Sequence, residues 1–159
     1  MNTQVNSTKP DPTRPMIAVG FDNSSAAVAA LRWAVEQART AGLSLRVVYV
    51  WELKALAMAA MSAEAWETAS ADARARATQW VRDALGADPG IRWSLDIVEG
   101  PPGPALVTRS RGARLLVLGT KEHTGLRRVV LGSVSHYCLS HADLPVVAVP
   151  ALEATAVAS

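Results

Sequence analysis

Glycines and hydroxyls recur at a spacing suited to phosphate binding near the carboxyl end of the chain. Gly119 closes a strongly apolar run, and Gly132, Ser133 and Ser135 stand at the start of a helix-like pattern. The first backbone N–H groups of a helix have no intrahelical partner and lie at the positive end of its dipole, so they bind anions. The two serine hydroxyls add hydrogen-bond donors. Local chemistry leaves two interpretations open: a phosphate site, or an ordinary capped helix after a surface loop.

Other chemistry-bearing motifs do not occur in the sequence. No glycine precedes a Lys-Ser or Lys-Thr pair, and the dinucleotide pattern G-x-G-x-x-G is missing. The serine elbow G-x-S-x-G of hydrolases is missing too, and His136 and His141 share one predicted helix with the serines without facing them. The three histidines show no metal-ligand spacing. We therefore predict neither catalytic residues nor a metal site.

Length and composition limit the class of protein. The chain has 159 residues, half of them apolar, a net charge of +2 and one cysteine, Cys138, so it can form no internal disulfide. The charge is too small to indicate a nucleic-acid partner. No apolar run approaches the ~18–20 residues of a membrane span, and the polar N-terminus does not resemble a signal peptide. These features predict a single-domain cytoplasmic protein with no membrane partner.

Strand-like and helix-like patterns alternate between two polar or Ala-rich tails. We predict a disordered arm over residues 1–15, one folded domain over 16–151 and a C-terminal tail over 152–159. The order βαβαβαβαβ predicts a parallel sheet of five strands with helices on both faces. Its predicted strands cover 16–21, 43–51, 91–100, 113–119 and 144–150. Apolar residues alternate in the third of these strands, which predicts one buried face.

The parallel sheet determines where a ligand would bind. Ligands of such sheets lie beyond the carboxyl ends of the strands, where the strand order reverses. That edge receives Asp22 after the first strand, the end of the second strand near Val50, and the loop that follows Gly119. The glycines and serines described above therefore belong to the ligand-binding edge of the predicted sheet.

Three quoted segments together resemble the universal stress protein family. They are IAVGFDNSSAAVAALRWAVEQA near the start, GTKEHTGLRRVVLGSVS over 119–135, and LSHADLPVVAVP at the end. The resemblance extends from residue 16 to about residue 150, which is nearly all of the predicted domain. It implies a three-layer αβα sandwich with strand order 3-2-1-4-5, and a site for ATP or AMP, with or without Mg²⁺.

The resemblance also implies which residues form that site. Asp22 matches an acidic residue near the nucleoside, and Val50 matches a position whose main chain contacts adenine. Without the resemblance, Asp22 is equally well explained as part of a helix cap and Val50 as a buried strand residue. The full set implied is Gly20, Phe21, Asp22, Val50, Gly119, Thr120, Lys121, Glu122, Gly132, Ser133, Val134 and Ser135.

Glu122 departs from the family's glycine motif. The motif has Gly, two residues, Gly, nine residues, Gly, and then Ser or Thr; here Gly119 and Gly132-Ser133 match it, but the middle position is Glu122. Two unit charges ~4 Å apart repel by about 1 kcal/mol in water and about 4 kcal/mol at an effective dielectric of 20. Glu122 would therefore weaken triphosphate binding unless it turns to solvent, pairs with Lys121 or Arg127, or helps to hold a divalent cation.

Two functions remain open at the level of sequence. The first is a stress-response regulatory protein that binds ATP or AMP, with at most weak hydrolysis. The second is a nucleotide-independent dimeric interaction module whose phosphate loop Glu122 has altered. Both predict a homodimer, because pairing with a twofold copy would cover the apolar edge strand. That strand contains Val146, Val147, Ala148 and Val149.

Overall fold

The computed structural model describes residues 3–6, 14–122 and 129–151. Its strands are β1 (Thr3–Asn6), β2 (Met16–Phe21), β3 (Ser44–Trp51), β4 (Trp93–Glu99), β5 (Leu116–Glu122), β6 (Val129–Val130) and β7 (Val146–Pro150). Its helices are α1 (Ser25–Ala41), α2 (Ala55–Ala59), α3 (Ala63–Leu85), α4 (Pro102–Ser110) and α5 (Ser133–His141). Apart from the additional short elements β1, α2 and β6, strands and helices alternate as the sequence predicts.

Five parallel strands form the sheet, in the order β4-β3-β2-β5-β7. When only these five parallel strands are numbered along the chain, their order is 3-2-1-4-5, so the predicted order is confirmed. One apolar cluster lies between the sheet and helices α1 and α3, and a second lies between the sheet and helices α4 and α5. The protein is therefore a three-layer αβα sandwich. None of the helices in the described part of the chain has the length and apolar character needed to cross a membrane.

The ends of α1 follow from short-range sequence signals. Ser24 has extended backbone angles and its side-chain oxygen accepts a hydrogen bond from Ala27 N at 3.1 Å. Gly42 ends the helix in the left-handed conformation, with φ +67°, which glycine adopts without steric strain. Cap residues at both ends therefore determine how far α1 extends, and α1 begins at the carboxyl edge of the sheet.

The third parallel strand, β4, differs from the prediction of one buried face. All residues from Trp93 to Val98 are buried, including Ser94 and Asp96. Arg46 Nε lies 3.8 Å from Asp96 Oδ2, and Arg46 Nη1 donates to the carbonyl oxygen of Arg109 at 3.0 Å. The carboxylate of Asp96 can be buried because a cation from the neighbouring strand lies beside it.

The N-terminal arm also differs from the predicted disorder over 1–15. Thr3–Asn6 forms β1, which pairs antiparallel with β4 from Thr3 opposite Ile97 to Asn6 opposite Ser94. Without β1, β4 would be an edge strand whose outer N–H and C=O groups have no partner. Four residues are too few for a periodic pattern, so the sequence did not reveal the strand. Residues 1–2, 7–13 and 152–159 lie outside the described residues.

Candidate functional site

A cavity of about 170 Å³ lies at the carboxyl edge of the sheet, between the start of α1 and helices α4 and α5. The ends of β2, β3 and β5 form its base, so it occupies the edge predicted for a ligand. Eight of the twelve predicted site residues line it: Gly20, Phe21, Asp22, Val50, Gly119, Lys121, Val134 and Ser135. Residues as far apart in the chain as Gly20 and Ser135 thus line one cavity.

Four predicted residues do not line the cavity in the described structure. Thr120 is buried, and its hydroxyl has no hydrogen-bond partner among the described residues. Gly132 and Ser133 are exposed, directly before the cavity-lining Val134. The backbone of Glu122 ends β5 and pairs with Val129. The side chain of Glu122 lies outside the described part of the structure, and so do residues 123–128, which include Arg127.

Of the apolar wall of the cavity, sequence reasoning predicted Val50 and missed the other residues. The wall consists of Val48 and Val50 from β3, Leu118 from β5 and Leu106 from α4. The alternation of a strand places Val48 on the same face as Val50, so the sequence contained a signal for that residue. Leu106 reaches the cavity only because α4 packs over the sheet, which no local pattern reveals.

Gly119 has a packing role that the sequence did not predict. The sequence suggested that it ends a strand and lets backbone approach a ligand, but β5 continues to Glu122. A Cβ atom at Gly119 would lie 2.5 Å from Ala26 O and 2.7 Å from Ala27 N. Gly119 is therefore required by the first turn of α1, which packs directly against β5.

Gly20 is crowded in a milder way. A Cβ atom there would lie 2.8 Å from Leu118 Cδ2 and 3.0 Å from Leu106 Cδ2. Both neighbours are ends of side chains that can change rotamer, unlike the backbone beside Gly119. The absence of a side chain at Gly20 leaves space in the cavity between β2 and α4.

The start of α1, on one side of the cavity, is capped by its own side chains. Ser24 caps the helix, as described, and Asp22 Oδ1 accepts a hydrogen bond from Ser24 N at 3.0 Å. Asn23 between them has φ +63°, a conformation that Asn tolerates better than most residues. Asp22 nevertheless stays exposed on the cavity rim, with its second oxygen, Oδ2, available for further hydrogen bonds.

The start of α5, on the other side, has no side-chain cap. Gly132 is the N-cap residue with extended backbone angles, and no side chain accepts from the first N–H groups in the described structure. A Cβ atom at Gly132 would meet nothing within 4 Å among the described residues. The arrangement can therefore accept an anion at α5, through backbone N–H groups next to Val134 and Ser135.

Two titratable groups near the site are shifted by their surroundings. Burial raises the pKa of Tyr49, the positive charge of Arg76 lowers it, and the carboxylate of Asp22 raises it. Burial raises the pKa of the Cys138 thiol to about 11, and its Sγ lies 3.9 Å from the carbonyl oxygen of Gly103. Cys138 is thus a neutral packing residue at physiological pH and not a nucleophile.

Comparison with known proteins agrees with the fold and with the family resemblance of the sequence. The sequence model of the universal stress protein family matches residues 15–150, which is most of the chain. The chain belongs to the universal stress protein family. The universal stress protein Rv2005c of Mycobacterium tuberculosis is 32% identical over 144 residues, covering 87% of this chain and 46% of the relative. The chain thus spans about half the length of the curated relatives it matches.

Solved universal stress protein structures share the fold. UspA from Lactobacillus plantarum superposes with a TM-score of 0.63 at 24% identity, covering 86% of this chain and 97% of that one. A universal stress protein in complex with cAMP gives 0.53 at 23% identity, covering 86% and 96%. The Archaeoglobus fulgidus protein in complex with dAMP gives 0.55 at 20% identity, covering 87% and 99%. At these identities the likeness establishes the fold.

Proposed function

We propose that this universal stress protein binds an adenine nucleotide, ATP or AMP, in the cavity at the carboxyl edge of the sheet. One observation carries the proposal: an apolar wall and an uncapped helix start border the same cavity. A nucleotide has these two parts, an apolar base and an anionic phosphate chain. Two relatives of this fold form complexes with cAMP and dAMP, which supports the choice of an adenine nucleotide.

In this proposal, the cavity orients the nucleotide from base to phosphate. The base packs against Val48, Val50 and Leu106, which offer apolar surface without competing hydrogen bonds. The ribose hydroxyls donate to the free oxygen of Asp22 on the rim. The phosphates accept from the first N–H groups of α5 and from the hydroxyls of Ser133 and Ser135. The exposed ammonium group of Lys121 adds a positive charge at the rim.

We propose that the bound nucleotide acts as a regulatory signal in a stress response. None of the described side chains around the cavity combines a nucleophile with an adjacent base, and we assign at most weak ATP hydrolysis to the site. If Mg²⁺ accompanies ATP, Glu122 is the carboxylate in the loop that would help to hold it, since Mg²⁺ prefers oxygen ligands.

Titration of Glu122 variants with nucleotide tests the proposal. We expect Glu122→Gln and Glu122→Gly to bind ATP about tenfold more tightly than wild type, since removing a charge near the phosphates relieves ~1–4 kcal/mol of repulsion. AMP should change less, because it carries less charge. Calorimetry with ATP and AMP, with and without Mg²⁺, measures both effects.

Glu99→Gln is the matched control, because Glu99 is an exposed carboxylate at the end of β4 that does not line the cavity. If Mg²⁺ improves ATP binding in wild type but not in Glu122→Gln, the carboxylate holds the cation. Mass spectrometry of the heat-denatured supernatant checks whether the purified protein carries nucleotide. Absence of binding in wild type and in both variants would overturn the nucleotide proposal.

The second candidate function, a nucleotide-independent interaction module, rests on Glu122 in the phosphate motif and on the edge strand. Among the described strands, β7 pairs only with β5, through Val146 opposite Leu116 and the residues that follow. We propose that its free side pairs with β7 of a second copy to form a homodimer. The dimer is compatible with either function.

Light scattering with size-exclusion chromatography tests the dimer. Val147→Lys places a charge in the middle of β7 and should shift the protein towards a monomer. Leu139→Lys is the control, because Leu139 is an apolar residue of α5 that is 45% exposed and is not part of β7. A wild-type monomer, or equal effects of the two variants, contradicts the edge-strand dimer.

A further inference from the structure

A cleft that contains two tryptophans lies where β3 and β4 end, beside the first half of α3. It has a volume of about 590 Å³ and is lined by Trp51 and Glu99 from the two strands and by Trp66, Glu67, Ser70 and Arg74 from the helix. We propose that this aromatic cleft is a second binding site, specific for an organic cation of single charge such as a quaternary ammonium group. None of its described lining residues lines the carboxyl-edge cavity, so the inference does not depend on nucleotide binding.

The two tryptophans of the aromatic cleft contact each other. The ring centroids of Trp51 and Trp66 lie 5.2 Å apart, with 30° between the ring planes. Both residues are half-buried, so the fold holds the pair while part of it stays accessible from the cleft. The face of an indole ring attracts a cation more strongly than the ring of Tyr or Phe does. The ring pair therefore favours a cationic ligand that also carries apolar groups.

Trp66 differs from the other described tryptophans in its surroundings. Those four belong to, or pack against, the apolar cluster between the sheet and helices α1 and α3: Trp33, Trp51, Trp80 and Trp93. Trp66 is in neither of the two apolar clusters of the described structure. The buried residues of α3 begin only at Ala73. Trp66 thus stacks on Trp51 at the cleft, outside the core that the other tryptophans stabilise.

A carboxylate lies next to each tryptophan. Glu99 on β4 is the register partner of Trp51 on β3, and neighbouring strands lie ~4.8 Å apart. Gly100 N donates to the carbonyl oxygen of Trp51 at 3.1 Å, which fixes the end of β4 against β3. Glu67 directly follows Trp66, and both line the cleft. The cleft therefore combines ring faces with negative charge, the two features that attract an organic cation.

Arg74 reduces the negative charge of the aromatic cleft. It makes an interaction of its own, and its position on α3 is two turns beyond Glu67, or about 10 Å along the helix axis. With Arg74 included, the described lining residues carry a net charge of −1. That charge matches a ligand with one positive charge and disfavours the phosphates of a nucleotide.

The polar groups at the start of α3 are compatible with a cation. The hydroxyl of Ser70 donates to the carbonyl oxygen of Glu67 at 3.0 Å, so its oxygen keeps lone pairs to offer as an acceptor. Ser62 caps the helix by accepting from Ala65 N at 3.2 Å, and Glu64 adds a negative charge in the first turn. Both reduce the repulsion that the positive end of a helix dipole exerts on a cation.

The combination of rings and few oxygen ligands determines which kind of cation fits. A metal ion such as Ca²⁺ needs six or more oxygen ligands and gains little from indole rings. The methyl groups of a quaternary ammonium bury apolar surface against the rings and bring the positive charge to the ring faces. The aromatic cleft is therefore suited to an alkylated ammonium group.

NMR titration of the five tryptophan indole N–H signals with choline tests the aromatic cleft. Trp51→Phe and Trp66→Phe assign the two relevant signals, which should shift while the other three stay in place. Dimethylbutanol, the uncharged carbon isostere of choline, should bind at least about fivefold more weakly, because it lacks the charge that the rings and carboxylates attract.

Two variants of Trp66 separate binding from packing. Trp66 also holds the start of α3 on the sheet, and both Phe and Leu would weaken that packing. Choline affinity should fall about fivefold in Trp66→Leu, or ~1 kcal/mol, and only about twofold in Trp66→Phe, which keeps a ring face. Thermal denaturation of each variant checks that the fold is retained.

Glu67→Gln tests the charge of the aromatic cleft. It should weaken choline binding about threefold, because attraction between solvent-exposed charges is modest. Glu64→Gln is the matched control and should bind choline as wild type does. Glu64 is an exposed carboxylate one turn earlier on α3, and it does not line the cleft.

Four results would overturn the aromatic cleft as a site. They are no shift of the two indole signals in wild type, equal binding of choline and dimethylbutanol, equal affinity in Trp66→Leu and Trp66→Phe, and an equal loss in Glu64→Gln and Glu67→Gln. The choline titrations contain no nucleotide, so their failure leaves the carboxyl-edge cavity to be decided by the Glu122 titrations.

Discussion

Helices α1, α4 and α5 begin at the carboxyl-edge cavity, and the first turns of α1 and α5 are built in opposite ways. The start of α1 is closed: Ser24 caps it, Asp22 accepts from Ser24 N, and its backbone at Ala26 packs against Gly119. The start of α5 is open: Gly132 has no side chain to cap it, and no described atom lies near its missing Cβ. Of these two described helix starts, α5 is the one that offers free N–H groups to an anion.

The difference shows that two glycines of one motif can be required for different reasons. The missing side chain of Gly119 makes room for the backbone of α1, whereas the space beside Gly132 contains no described atom within 4 Å of a Cβ position. A glycine motif matched in sequence does not by itself tell which glycines contact a ligand. Variants at the two helix starts can separate these roles, because fold stability and nucleotide affinity should change independently.

Gly119→Ala should have the largest effect. The new Cβ atom would meet the backbone of Ala26 and Ala27, which can move only with α1, so we expect the free energy of unfolding to fall by about 3 kcal/mol. Urea denaturation monitored by tryptophan fluorescence measures the loss. Gly20→Ala is the graded control, because it meets only side-chain ends and should lose about 1 kcal/mol. Equal losses at the two positions would show that α1 accommodates the methyl group.

Gly132→Ala should change affinity rather than stability. No described atom opposes the methyl group, so the free energy of unfolding should change by only about 0.5 kcal/mol through the N-cap position. If phosphate approaches the start of α5 closely, nucleotide affinity should fall about tenfold, or ~1.4 kcal/mol. Denaturation and ATP calorimetry on the same protein check both values. Unchanged affinity would show that the phosphate does not bind close to Gly132.

Ser24→Ala should have the smallest total effect on stability and affinity, and it should change stability rather than nucleotide affinity. Loss of the hydroxyl that accepts from Ala27 N should lower the free energy of unfolding by about 1 kcal/mol. Nucleotide affinity should stay within about twofold of wild type, which corresponds to ~0.4 kcal/mol, because the phosphate lies at α5 in our proposal. Calorimetry measures this affinity. A tenfold loss of affinity in Ser24→Ala would show that both helix starts hold the ligand.

Much of the fold was predictable because its signals are local. Apolar runs, capping serines and Gly42 define strands and helix ends within a few residues, and the alternation of elements then determines a parallel sheet. The strand β1 and the burial of Asp96 were not predictable. The first depends on a distant edge strand, and the second depends on Arg46 from a neighbouring strand.

The candidate site was predictable in its location and not in its inner surface. The rule for parallel sheets and the glycine motif identified the carboxyl edge, and eight predicted residues line the cavity there. The wall residue Leu106 and the open space beside Gly20 result from the packing of α4 over the sheet. Such contacts join segments far apart in the chain, so no local pattern contains them.

By itself, the sequence determined the order of elements, the sheet that follows from it, and the position of the glycine motif at its carboxyl edge. These properties depend on periodicity and on backbone preferences of single residues. Only the tertiary structure decided that Gly119 accommodates the first turn of α1 while no described atom lies near the missing Cβ of Gly132. The physical reason is that steric crowding depends on distances in space, which the packing of the helices on the sheet determines.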